Sequence, residues 1–143
     1  MLRIERWAIA ALACSLLCGC GGGNGLDTAP TTGEITYRGK PLPYGSISFR
    51  PKAGPPSTGP IGSDGTFEMS TYRDGDGAIL GMNDVMISAT ELHAGTAKPV
   101  EAGVEMPVPK SLIPAKYTAF STSGLNAEVK EGEKNHFVFE LKD

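Results

Sequence analysis

The sequence predicts an all-β protein, a single antiparallel β-sandwich of about seven strands, standing behind an N-terminal leader. Three observations predict it. From Thr32 onward apolar and polar residues alternate in short runs, those runs are punctuated by Gly, Pro and Asp-Gly, and no long stretch carries apolar residues at helical spacing. The 143 residues include 19 glycines and 11 prolines, which fits the punctuation, and the length leaves room for one domain.

Residues 1–19 read as a secretory signal. Arg3 and Arg6 make a positive start, and Trp7 through Leu17 make an apolar core. That core is shorter than the roughly 20 residues a membrane-spanning helix needs. Leu17-Cys18-Gly19-Cys20 follows and resembles the bacterial lipobox, with Leu at −3, a small residue at −1 and Cys at +1. The resemblance implies a thioether-linked diacylglycerol on Cys20, cleavage before it, and N-acylation of the palmitate type. Each buried methylene contributes about 0.8 kcal/mol, and more than one chain makes a stable anchor. Gly21 at +2 is not Asp, which by analogy with lipoprotein sorting points to the outer rather than the inner membrane.

The loss of the leader changes the composition. Cys14 and Cys18 leave with it and Cys20 is consumed by lipid, so the mature domain is expected to hold no disulfide. Without Arg3, Glu5 and Arg6 the basic and acidic counts fall from 13 and 16 to 11 and 15, a net charge of −4. No basic patch stands out, so no nucleic-acid partner is expected. Residues 20–31, with four glycines in 21–25, are expected to form a flexible tether ahead of a domain at 32–143.

Within that domain the elements are read by period two. Residues 33–37 place Ile35 and Tyr37 on one face, and Arg38-Gly39-Lys40-Pro41-Leu42-Pro43 turns the chain. Residues 45–50 alternate through Ile47 and Phe49. Residues 51–60 hold four prolines and are expected to form a surface loop rather than a central strand. Ile61-Gly62 leads into the Asp64-Gly65 reversal, a hairpin signal, and residues 66–71 return with Phe67 and Met69 inward. Residues 78–81 form an edge, and residues 84–90 place Val85, Ile87 and Ala89 on one face. The stretch 91–114 is least patterned and reads as a long excursion, with a turn of helix near residues 109–112. Residues 125–129 and 135–141 read as a final hairpin, with Phe137, Phe139 and Leu141 aligned.

Several of these pieces together resemble a family. Gly33-Glu34-Ile35-Thr36-Tyr37-Arg38-Gly39-Lys40-Pro41-Leu42, Gly45-Ser46-Ile47-Ser48-Phe49, Asp64-Gly65-Thr66-Phe67, Asp76-Gly77-Ala78, Ile113-Pro114-Ala115-Lys116-Tyr117 and Thr122-Ser123-Gly124-Leu125 carry the likeness. They resemble small lipoproteins common in planctomycete-type bacteria, whose domain is similar to the carboxypeptidase regulatory-like or transthyretin-like (prealbumin-like) sandwich. The resemblance implies a fold and a location, not a reaction. Met82-Asn83-Asp84-Val85 departs from the pattern, where an aromatic commonly precedes the strand, and puts that strand's register in doubt.

Candidate chemistry is sparse. His93 and His136 are the only histidines, so a zinc site would need carboxylates to complete it. Asp64, Asp74 and Asp76 offer oxygen ligands for calcium, yet they lack the downstream Glu of an EF-hand, and Asp-Gly pairs are ordinary turn residues. No Gly-x-Ser-x-Gly elbow is present. Tyr37, Tyr44, Tyr72, Tyr117 and Phe120 could furnish a stacking platform for sugars or peptides. Lys116, Tyr117 and Tyr72 are the candidate ligand contacts, set against the reading that Tyr37 and Tyr117 are boundary packing residues. No cofactor is expected. The expected function is that of a membrane-anchored, non-enzymatic cell-envelope lipoprotein acting as a structural or protein-interaction module. The alternative is a carbohydrate- or peptide-binding accessory lipoprotein of a surface system, with envelope proteins or glycans as partners.

Overall fold

The structure, a computed structural model, describes residues 25–91 and 108–143. The leader, Cys20 and His93 lie outside the described residues. The chain is all-β, with strands β1 (Thr28–Ala29), β2 (Thr31–Tyr37), β3 (Lys40–Pro41), β4 (Gly45–Pro51), β5 (Ser57–Ile61), β6 (Thr66–Glu68), β7 (Ala78–Ile79), β8 (Gly81–Ser88), β9 (Leu125–Val129) and β10 (Asn135–Leu141). Seven of them follow one another as β10-β2-β6-β5-β4-β8-β9, with β3 attached to β2, while β1 pairs with β7 apart from that sheet. Among the described residues every strand pairing is antiparallel except β10 with β2, which run parallel from Asn135↔Thr31 to Leu141↔Tyr37.

The sheet is curled. In the ladder β4 and β10 are separated by three strands, which on a flat sheet would put them about 19 Å apart at ~4.8 Å per strand. Instead the Phe49 ring of β4 lies 5.8 Å from Phe137 and 6.3 Å from Phe139 of β10, both edge-on. Phe67 of β6 completes the group, 6.4 Å from Phe49 and 6.2 Å from Phe139. These rings sit in one core with Ile35, Leu42, Ile47, Met69, Val85, Ile87, Val129 and Leu141, all buried. Tyr37, Leu125 and Phe137, expected inward, are partly buried against it.

Four local expectations are corrected. The final hairpin does not form: β9 pairs with β8 and β10 with β2, at opposite ends of the strand order. Residues 130–134 span at most about 20 Å even when extended, so they can join the two ends only because the sheet curls its edges together. The 51–60 loop contains β5, which lies between β4 and β6 in the sheet. Thr58 exchanges both backbone bonds with Ser70, so residues 58 and 60 aim at the β6 side while 57, 59 and 61 carry the ladder to β4. The missing N–H of Pro60 therefore removes nothing from β4, and the proline is tolerated where the rule against central prolines would exclude it.

The tether expected over residues 20–31 is too long. Thr28 and Ala29 pair with Ile79 and Ala78, and β2 already begins at Thr31. The Asp27 carbonyl accepts from Leu80 N–H and the Thr31 carbonyl from Met69 N–H, so the backbone of this segment is satisfied by the domain. The glycines that suggested looseness all stand at or before residue 25. Lastly, residues 109–112 are not helical. The short 3-10 turn falls at Ala115–Thr118, and Ser111 bridges Thr90 instead. The register of β8 agrees with Val85, Ile87 and Ala89 facing inward, and Asn83 joins them, fully buried.

Candidate functional site

Tyr117, Lys116 and Tyr72 are not gathered into one site. Pro114 leads into the 3-10 turn, and that turn lays the Tyr117 side chain into the core, where it is 6% exposed. Its hydroxyl donates to the Lys142 carbonyl and accepts from the Lys142 N–H, both at 3.0 Å. Lys116 Nζ lies 5.0 Å over the same ring. Tyr117 is thus a clasp between the turn and the end of β10, a packing role for a residue read as a possible ligand contact. Its polar tip is satisfied by backbone.

Tyr72 sits elsewhere, against the start of the described chain. It is exposed, and its hydroxyl accepts from Leu26 N–H at 2.9 Å. Of the other aromatics, Tyr44 packs partly buried against the core, and one face of Phe120 is covered by the Arg50 guanidinium at 4.4 Å. No shared stacking platform forms from the five.

A polar cluster nevertheless assembles around Tyr117. Tyr37 ends β2, and Arg38 and Gly39 make a two-residue loop back to Lys40 with φ of 52° and 76°. Two positive φ values are the geometry of a type I′ hairpin. Arg38 is the one non-glycine with positive φ among the described residues, and its guanidinium grips Asp143, Nε to Oδ2 and Nη2 to Oδ1 at 2.9 Å each. Tyr37 Oη donates to Asp143 Oδ1 at 2.7 Å. These donors hold the Asp143 carboxyl below the ordinary range, first through Tyr37 and then Arg38. Donating to Asp143 raises the Tyr37 phenol and the Arg38 guanidinium in turn. Beside the cluster a groove of about 340 Å³ opens between the β2–β3 hairpin and Leu112, lined by Tyr37, Arg38, Lys40, Leu42 and Pro43. Arg38 and Lys142 are matched there by Asp143 and Glu140, which leaves Lys40 on the groove and Lys116 beside Asp143.

A second, more open groove of about 490 Å³ lies on the outer face of β10, β2 and β6. Register places His136 opposite Thr32 and Thr32 opposite Glu68. An imidazole, a hydroxyl and a carboxylate therefore stand in a row across three strands, with His136 Nδ1 3.2 Å from Thr32 Oγ1. Pattern alone could have found this row once the parallel β10–β2 pairing was known, but nothing local announces that pairing.

Two of the three aspartates offered for calcium, Asp64 and Asp76, serve turns. Asp64 Oδ1 accepts from Thr66 N–H and Oγ1–H, which holds its carboxyl below the usual range. Asp76 caps the loop before β7: Oδ1 takes Thr71 N–H at 2.7 Å, and Oδ2 takes Tyr72 and Arg73 N–H at 2.9 Å each. Burial opposes its ionisation, but these three donors outweigh burial and its carboxyl too lies low. Among the described residues no three His, Cys, Asp or Glu side chains converge as a metal site, and no helix is long and apolar enough to cross a membrane. No protein-family model, curated protein or solved structure matches this chain.

Proposed function

We propose that this chain is a lipid-anchored envelope protein whose β-domain is a non-enzymatic interaction or structural module. The observation that carries the reading is the run Leu17-Cys18-Gly19-Cys20 behind a positively charged, apolar leader. In this reading the curled sheet is a two-layer, transthyretin-like sandwich. One layer is β10-β2-β6 and the other β5-β4-β8-β9, with the Phe49, Phe67, Phe137 and Phe139 rings between them. The edge-on ring contacts across β4 and β10 support it, as does the sparse β5–β6 seam, tied by Ile61↔Phe67 and Thr58↔Ser70.

The short distance from Cys20 to the domain supports a membrane-facing orientation. Leu26, which the Tyr72 hydroxyl already holds, is the sixth residue after Cys20. Six residues reach at most about 22 Å. A lipid on Cys20 thus keeps the β1–β7 end of the domain near the bilayer and leaves the Tyr37–Asp143 end pointing away. Gly21 at +2 favours the outer membrane. The non-enzymatic part is supported by how the reactive side chains are used: Tyr117, Asp64, Asp76 and Asp143 are all engaged in holding backbone or hairpin.

Membrane partitioning tests this. The full chain is expected in the detergent-soluble membrane fraction, and Cys20→Ser is expected to accumulate with its leader uncleaved; a Cys20→Ser protein processed and distributed like wild type contradicts the anchor. The second reading, a carbohydrate- or peptide-binding accessory protein, is favoured by the groove beside Tyr37, Arg38 and Lys40. Its apolar floor and cationic rim suit an acidic glycan or peptide.

A further inference from the structure

We infer that β10 is an interface between two copies of this chain, pairing antiparallel with its own symmetry mate about Val138. Strand β10 spends one edge on β2, and among the described residues no strand takes the other. Which groups are left on that edge follows from the parallel ladder. Arg38 N–H donates to the Leu141 carbonyl and Asn135 N–H to the Pro30 carbonyl, so residues 135, 137, 139 and 141 aim at the β2 side. In a parallel pair both backbone groups of a residue point the same way, so His136, Val138 and Glu140 present N–H and C=O outward.

The sequence of this edge is complementary to itself. In Asn135-His136-Phe137-Val138-Phe139-Glu140-Leu141, a two-fold axis through Val138 sets Val138 against Val138, His136 against Glu140 and Phe137 against Phe139 of the second copy. The outward residues become the hydrogen-bonded pairs, and the three of them on each strand exchange six backbone bonds in all. The outer face gains two His–Glu pairs of opposite character flanking an apolar centre. Val138, 61% exposed in the single chain, is covered. On the inner face the half-buried Phe137 meets Phe139 of the second copy at the closer, non-hydrogen-bonded spacing.

The second copy fits this edge better than it fits the other end of the sheet. A two-fold through Ala127 of β9 would set Asn126 against Glu128, without charge complementarity, along a strand of only five residues. Long open edges are usually blunted by Pro or Lys within the strand, and β10 has neither between Asn135 and Leu141. A closed, isologous dimer removes that hazard, because the symmetric contact uses up the edge on both copies. The interface does not depend on the lipid or on the groove beside Tyr37, and it shares His136 with the groove on the outer face.

Sedimentation equilibrium of the full chain in density-matched detergent tests it, with amide hydrogen exchange as the second measurement. The expected result is a reversible dimer in which the amides of His136, Val138 and Glu140 are slow to exchange. Glu140→Lys places a cation opposite His136 twice over and is expected to weaken the dimer about tenfold. The exchanged pair His136→Glu with Glu140→His is expected to restore it. Val138→Lys sets two like charges on the axis and is expected to give a monomer that melts where wild type melts once diluted to monomer, since that side chain is exposed in the single chain. A wild-type chain that stays monomeric up to millimolar concentration overturns the inference. So does a dimer indifferent to Val138→Lys, or one whose 136, 138 and 140 amides exchange freely.

Discussion

At the residue scale the Tyr117 hydroxyl decides between packing and recognition. It both donates to and accepts from the Lys142 backbone in a part-buried site. Tyr117→Phe is therefore expected to cost about 1–2 kcal/mol in chemical denaturation, the loss of two modest hydrogen bonds. A variant as stable as wild type would return Tyr117 to the ligand-contact reading. Asp76 is a similar case among the turn residues. Asp76→Ala strips acceptors from Thr71, Tyr72 and Arg73 at once, and a loss of about 1–3 kcal/mol is expected. Added calcium is expected to leave the melting temperature of wild type unmoved; a calcium-dependent rise that disappears in Asp76→Ala would contradict the turn role. Neither role is written in composition, because a Tyr or an Asp-Gly in a sequence does not say whether backbone or solvent will meet it.

At the level of elements, close approach between strands sets the strictest demands. Gly33 on β2 lies between Phe67 on β6 and Phe137 on β10 by register. A Cβ there would stand 2.1 Å from the Phe137 carbonyl oxygen and 2.5 Å from Phe67 Cζ. Gly33→Ala is expected to destabilise by about 3 kcal/mol or more, because backbone rather than a flexible tip must give way. Full stability in that variant would mean that β10 does not lie where the parallel pairing puts it. The strands with clean alternation, such as those carrying Ile35, Ile47 with Phe49, and Val85 with Ile87, were legible because period two reports burial directly. β5 was not, since the cost of Pro60 depends on which edge its nitrogen faces. Nor was the partner of β10, because a five-residue link mimics a hairpin loop while the true pairing joins residues about a hundred positions apart.

For the molecule as a whole, the low carboxyls set the acid limit. Asp64, Asp76 and Asp143 all lie below the ordinary carboxylate range when folded. The folded state then binds fewer protons than the unfolded chain around pH 3–4, so their contribution is complete above about pH 5 and is lost as pH falls through and below 4. Tyr37 works in the opposite sense: its phenol is raised, chiefly by donating to Asp143, and its contribution is lost as pH rises past about 10. Thermal melts across pH are expected to show a plateau between those limits; a melting temperature that climbs on acidification below pH 4 would contradict the assignment. The candidate grooves were only partly legible, because Thr32, Glu68 and His136 come together through pairings that no local pattern announces. The anchor, by contrast, lies wholly in contiguous residues. The intact mass of the protein extracted from envelope membranes tests it most directly. It should equal the chain from Cys20 to Asp143 plus a diacylglyceryl group and one further acyl chain; a mass retaining residues 1–19, or a mature start at any other residue, would contradict it.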